Sequence, residues 1–136
     1  MYLIDTNIFL EVMLSRSRKN ECKQFLAMLK NGKISGVVTD FTIHSIIVLL
    51  DRLRRLKELR KFLLSITAYK GLHIYTTSLV DEINAVEIAE KDGLDMDDAI
   101  QFTAAISINA DAIISFDKDF DGLKIPRKEP AQIQQE

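Results

Sequence analysis

At 136 residues, with 47% hydrophobic and 28% charged side chains, the chain has the length of one domain and a composition that excludes an intrinsically disordered polypeptide. No apolar run reaches the roughly 18 residues needed to cross a bilayer, and no basic stretch precedes an apolar one at the N-terminus, which sets aside membrane-spanning and secreted proteins. A single cysteine, Cys22, excludes an internal disulfide and fits a reducing compartment, so the expected location is the cytoplasm.

The net charge of −2 conceals an asymmetry. Residues 1–70 carry 13 Lys and Arg against 6 Asp and Glu, whereas residues 71–136 carry 5 against 14. A basic half and an acidic half point to an anionic partner on one side and to cations on the other. The plainer alternative is that both halves present solvated helix faces.

In chain order, Tyr2-Leu3-Ile4 reads as a short buried strand, followed by Asp5 and by a helix from Asn7, its cap, to Leu14. Residues 15–18 are loop. Cys22, Phe25, Leu26 and Leu29 recur at helical spacing between Lys19 and Leu29, and Asn31-Gly32 ends that helix. Gly36-Val37-Val38 is a strand. A helix capped by Asp40 then runs to about Arg55, with Ile43, Ile46, Ile47 and Leu50 facing the core. Residues 51–61 are the most basic segment, with six cations and two acids around Leu53, Leu56 and Leu59. They form either an RNA-facing strip, or a solvated face or one that meets an acidic protein.

Leu72–Tyr75 is a third strand, and Ser78 with Asp81 forms a capping box for a helix that Gly93 ends. Asp95-Met96-Asp97-Asp98 opens a helix through Ile100, Ala104 and Ile108, and Ala112–Ser115 is the next strand. The segment 126–136, with Pro126 and Pro130, reads as an irregular tail after a single domain over 1–125. Helices alternate with short, continuously apolar strands. This is the pattern of an α/β protein whose parallel sheet is covered on both faces.

Asp5 follows the first strand at once, and Ser115-Phe116-Asp117-Lys118-Asp119 follows the fourth. Ligands bind open parallel sheets in the crevice beyond the strands' carboxyl ends. If these two strands are neighbours, their aspartates converge. Asp5, Asp98, Asp117 and Asp119 are therefore candidates to hold a hard, oxygen-bound cation such as Mg2+, since carboxylates gathered together repel unless an ion joins them.

Each acid also has a structural reading. Asp5 can cap a helix, Asp98 can be the third-position acid of a capping box begun by Asp95, and Asp119 and Asp121 lie in a turn. The run Asp117-x-Asp119-x-Asp121-Gly122 opens like a calcium-binding loop, but Lys128 stands where the bidentate glutamate belongs. Nothing resembles a glycine-rich phosphate loop or a Cys/His zinc site. His44 and His73 read as packed, hydrogen-bonded histidines.

Taken together, Leu3-Ile4-Asp5-Thr6-Asn7, Asp98-Ala99-Ile100 with Thr103-Ala104-Ala105, and Ile114-Ser115-Phe116-Asp117-Lys118-Asp119-Phe120 resemble the successive motifs of PIN-domain nucleases, closest to VapC-type toxins. The resemblance implies a three-layer α/β/α sandwich with a central parallel sheet of about five strands, the first and fourth adjacent. It also implies a Mg2+- or Mn2+-dependent endoribonuclease acting on RNA, a homodimer and an antitoxin partner. Carried over by position, Asp5, Asp98 and Asp117 are the catalytic, metal-binding acids, while Thr6 or Asn7 and Ser115 orient them or a water.

One position departs from the pattern. The glutamate that the family places three residues beyond a threonine is here Ser45, after Thr42. A four-acid site thereby becomes a three-acid one, with the alternatives that metal affinity falls or that Asp119, Asp95 or Glu11 compensates. The leading expectation is thus a ribonuclease, against a non-catalytic PIN-like module that binds RNA or protein, and, third, a small-molecule phosphohydrolase.

Overall fold

The computed structural model describes residues 1–134. Five strands, β1 (Tyr2–Ile4), β2 (Gly36–Thr39), β3 (Leu72–Tyr75), β4 (Ala112–Ile114) and β5 (Arg127–Lys128), form one sheet in the order β3-β2-β1-β4-β5. Every neighbouring pair is parallel. Around it lie α1 (Thr6–Met13), α2 (Lys19–Lys30), α3 (Asp40–Arg52), α4 (Leu56–Ile66), α5 (Leu79–Asp92), α6 (Met96–Ser107) and α7 (Pro130–Gln134).

Strand side chains alternate between faces, and this alternation builds two cores. Leu3, Val37 and Ile113 pack with Ala85 of α5 and with Ile100, Phe102 and Ala105 of α6. Their neighbours Ile4, Val38 and Ile114 pack on the opposite face with Phe9, Phe25, Ile46, Phe62 and Ile133, drawn from α1, α2, α3, α4 and α7. Phe9 meets Phe62 edge to face with centroids 5.5 Å apart. The result is the three-layer α/β/α sandwich that the alternating elements imply. Among the described residues no helix is long and apolar enough to cross a membrane.

Several local expectations are corrected. The first helix begins at Thr6, so Asp5, not Asn7, occupies its N-cap position. Thr39, at the end of β2, caps α3 by accepting from the Thr42 N–H (3.0 Å). Asp40 instead accepts from the N–H and hydroxyl of Thr77 (3.1 and 2.7 Å), tying α3 to the loop after β3.

The helix expected to reach Arg55 stops at Arg52. Arg54 takes a left-handed conformation (φ 57°), and its N–H bonds Asp51 O (3.0 Å) while that of Arg55 bonds Leu50 O (2.8 Å). This is the Schellman closure that ends helices. His44 and His73 are both exposed: His44 lies on the outer face of α3, and β3 is an edge strand with a half-solvated face.

The C-terminal segment is ordered rather than irregular. A parallel strand at the edge of a sheet leaves unpaired backbone groups, and residues after Pro126 satisfy those of β4: Ile113 N bonds Pro126 O (2.8 Å) and Ser115 N bonds Lys128 O (3.0 Å). Pro130 then starts α7, as proline suits a first helical turn, and Ile133 is buried in the core that also holds α2. Residues 135–136 lie outside the described residues.

Candidate metal centre

The sheet order reverses direction at β1 and β4, and the register pairs Ile4 with Ile114. The residues just beyond, Asp5 and Ser115, therefore stand side by side, and Asp5 N bonds Ile114 O (3.0 Å). Although Asp5 sits at the head of α1, its side chain makes no capping hydrogen bond. It points instead to the neighbouring strand, where Ser115 Oγ donates to Asp5 Oδ2 (2.6 Å). The same Oγ accepts from Asp117 N (2.9 Å), and Asp117 Oδ1 accepts from Asp119 N (2.9 Å). Ser115 thus ties the carboxylate of one strand end to the acidic loop of the other.

The third contribution comes from the head of α6. Asp95 is the N-cap and accepts from Asp98 N (2.9 Å). No hydrogen bond returns from the Asp98 carboxyl to the cap, and this side chain is only 6% exposed. One oxygen each from Asp98, Asp117 and Asp119 lie within 4.8 Å of one another. Oxygens held by a single ion at about 2.1 Å are roughly 3–4 Å apart, so a small closure of the loop brings the three to a common cation.

Electrostatics point the same way. Burial, then the charges of Asp95, Asp117, Asp5 and Asp97, push the Asp98 carboxyl up to about 8. Asp5 is also raised, chiefly by burial and further by Asp117, against the hydrogen bonds from Ser115, Gln101 and Thr6. Asp97 is raised by burial and by Asp5, Asp95 and Asp117, with Gln101 opposing. The charges acting on Asp98 are thus all aspartates. Arg18 and Arg127, which flank this loop, are held by Glu21, Glu129 and Asp121. An all-oxygen anionic pocket has the ligand chemistry of a hard divalent cation and lacks the Cys and His donors of structural zinc sites among the described residues.

The sequence-derived residues fall into three groups. Asp98, Asp117 and Asp119 come together directly, and Asp5 joins them through Ser115. Thr6 Oγ1 contacts Thr42 Oγ1 (3.0 Å), which also receives the Thr39 hydroxyl (3.3 Å), a chain that joins α1 to α3. Asn7 is exposed in the first turn of α1. Ser45 is half-buried on α3 and carries no acid to the cluster. Glu11 accepts from Arg18 N (3.1 Å), a loop-closing role. Asp121 pairs with Arg127.

Asp97 and Gln101, not among the candidates read from the sequence, also border the cluster. Gln101 Nε2 donates to Asp97 Oδ1 (3.0 Å), and Gln101 is fully buried. Their i,i+4 spacing, with an amide inside the apolar run that follows Asp98, was the available signal.

The profile of the PIN domain matches residues 1–119 of the chain. No curated protein matches it. Among solved structures, a toxin–antitoxin complex from Klebsiella pneumoniae is similar at a TM-score of 0.71 and 21% identity, over 96% of this chain and 98% of that one. VapC20 of Mycobacterium tuberculosis, a sarcin–ricin-loop-cleaving toxin, superposes at 0.75 with 16% identity over 92% and 96% of the two chains. A VapBC2 chain of Rickettsia felis, from a complex bound to a DNA fragment of its promoter, gives 0.69 and 16% over 94% and 97%.

Proposed function

The chain belongs to the PIN-domain family, and from that membership and the acid cluster we propose that it is a divalent-metal-dependent endoribonuclease, the toxin of a toxin–antitoxin pair. The observation that carries this reading is the convergence of Asp98, Asp117 and Asp119 beside a buried, serine-held Asp5. A bound Mg2+ or Mn2+ would supply a Lewis acid for the phosphoryl oxygen and acidify the attacking water.

The chain's own groups do the rest. Asp98, Asp117 and Asp119 would hold the ion through their oxygens. Asp5, fixed by Ser115 Oγ, adds negative charge at the floor of the site and accepts a proton from the water as it attacks. The Thr6–Thr42–Thr39 chain holds the head of α1 in place, and Asn7, at the exposed first turn, meets the substrate. The cations of residues 52–61 are all exposed, and among the described residues none of them has an ion-pair partner, which suits contact with RNA phosphates.

The toxin role draws support from the toxin–antitoxin complexes among the structural neighbours. By the same reading the chain forms a homodimer, takes an antitoxin as partner and works in the cytoplasm. Leu79, Val80 and Ile83 of α5 are 72%, 66% and 55% exposed, an apolar strip of the kind that assembly covers. The competing reading is a non-catalytic module that binds RNA or protein, favoured by Ser45 standing where the family resemblance places a glutamate.

Incubation of a mixed RNA pool with Mg2+, Mn2+ or EDTA separates them. Wild type cleaves, EDTA abolishes cleavage, and Asp5→Asn, folded by circular dichroism, loses more than the roughly 10–100-fold that outer-shell changes cost. Undiminished cleavage by Asp5→Asn contradicts the assignment. RNA binding without cleavage in either metal selects the second reading.

A further inference from the structure

Two polar groups on α6, Asp97 and Gln101, border the acid cluster and have no role assigned so far. Gln101 is wholly buried in a helical run, 99–105, that is otherwise apolar but for Thr103, whose hydroxyl is satisfied by Ala99 O (2.8 Å). The Gln101 amide has no such complete set of partners. Its NH2 donates to Asp97 (3.0 Å) and also interacts with the Asp5 carboxylate. Its Oε1, buried among the described residues, accepts no hydrogen bond.

A leucine or methionine would fill the same volume without leaving a carbonyl unpaired, so packing does not account for an amide there. The acid cluster does. Both N–H groups restrain carboxylates that would otherwise repel each other, and the bare oxygen is a hard, neutral ligand of the type Mg2+ and Mn2+ accept. Asp97 itself is half-buried one residue before Asp98, while the α3 position that would carry an acid holds Ser45.

We propose that Asp97 and Gln101 complete the cation site. Asp97 is a further acid, supplied from α6 where α3 lacks one. Gln101 is a positioning residue that aligns Asp97 with Asp5 through its NH2 and offers Oε1 to the ion or to a water beside it. This inference rests on the metal-dependent reading above and identifies which side chains replace the missing glutamate.

Calorimetric titration of Mn2+ into the full chain tests it without relying on RNA cleavage. Wild type binds and Asp98→Asn does not, which locates the ion. Asp97→Asn weakens the Kd by about tenfold or more, and Gln101→Met does the same. The double variant is weakened by clearly less than the product of the two single effects, because Gln101 acts in part through Asp97.

If Asp98→Asn abolishes binding while Asp97→Asn retains wild-type affinity, the proposal is overturned and the metal reading stands. If wild type fails to bind Mn2+, or binds no better than Asp98→Asn, the metal reading falls and takes the proposal with it. Effects that multiply in the double variant overturn the positioning role of Gln101. Should Gln101→Met lose its native circular dichroism, Asp97→Asn, a change at a half-exposed site, decides alone.

Discussion

Asp98 stands at the third position of α6, where an acid ordinarily stabilises a helix through its dipole, yet burial and four neighbouring aspartates hold its carboxyl at about 8 instead of 3.8. The folded, metal-free chain therefore retains a proton that the unfolded chain releases between about pH 4 and pH 8. The sign follows: stability falls as pH rises through that window and levels above it. Asp98→Asn removes the share of this dependence that Asp98 contributes and leaves that of Asp5 and Asp97, which are also raised. Thermal melts in EDTA at pH 8 should show this variant about 3–8 °C more stable than wild type, and Mn2+ should raise the melting temperature of wild type alone. A variant less stable than wild type in EDTA would mean that Asp98 serves the helix rather than an ion.

At this scale the sequence was informative where position along a strand limits what a side chain can do. Asp5 and Asp117 were legible because an acid at the carboxyl end of a buried strand has no packing purpose. Asp97 and Gln101 carried only the weak signal of their i,i+4 spacing. Asp97 is one of three aspartates opening a helix, and nothing in their order tells which of them faces inward until the helix is docked against β1 and β4.

The elements followed their local signals wherever one signal dominated. The capping box at Ser78 and Asp81 and the left-handed Gly93 (φ 70°) bound α5 as the sequence implied. The break between α3 and α4 was hidden, because the periodic leucines continue across it and the left-handed residue is an arginine rather than a glycine. The last strand and helix were also hidden. Two residues of strand and one and a half turns of helix have no periodicity to read, and they form because the edge of β4 and the surface of α2 need covering.

Gly71 shows how tightly the elements are fitted. A Cβ there would collide with the carbonyl oxygen of Ile34 and approach that of Leu29 to 2.9 Å, while the Gly71 N–H bonds Leu29 O (2.8 Å). Backbone cannot give way as a side-chain tip can. Gly71→Ala should cost on the order of 1–3 kcal/mol in urea unfolding, with an unchanged m-value. A cost near zero would show that the α2–β3 contact is looser than it stands here.

For the molecule as a whole, the charge asymmetry of the sequence becomes a division of labour. Acids of the C-terminal half converge with Asp5 at the reversal of the sheet, and the cations of residues 52–61 lie exposed on the end of α3, the turn after it and α4. A net charge near zero therefore does not exclude a polyanionic substrate, because the two signs are carried on different elements. The parallel topology could be inferred from alternating elements and continuously apolar strands. The neighbouring of β1 and β4 could not be inferred from pattern alone and rested on the family resemblance.

The neighbouring of β1 and β4 matters because it creates a pocket for one ion. Diffraction from crystals soaked in Mn2+, recorded at the manganese absorption edge, addresses it directly. The predicted result is an anomalous peak about 2.1 Å from carboxylate oxygens of Asp98 and Asp117, with Asp119 closing on it and Asp5 still held by Ser115. A fully soaked crystal with no peak among these aspartates, or with the peak elsewhere on the surface, would contradict it.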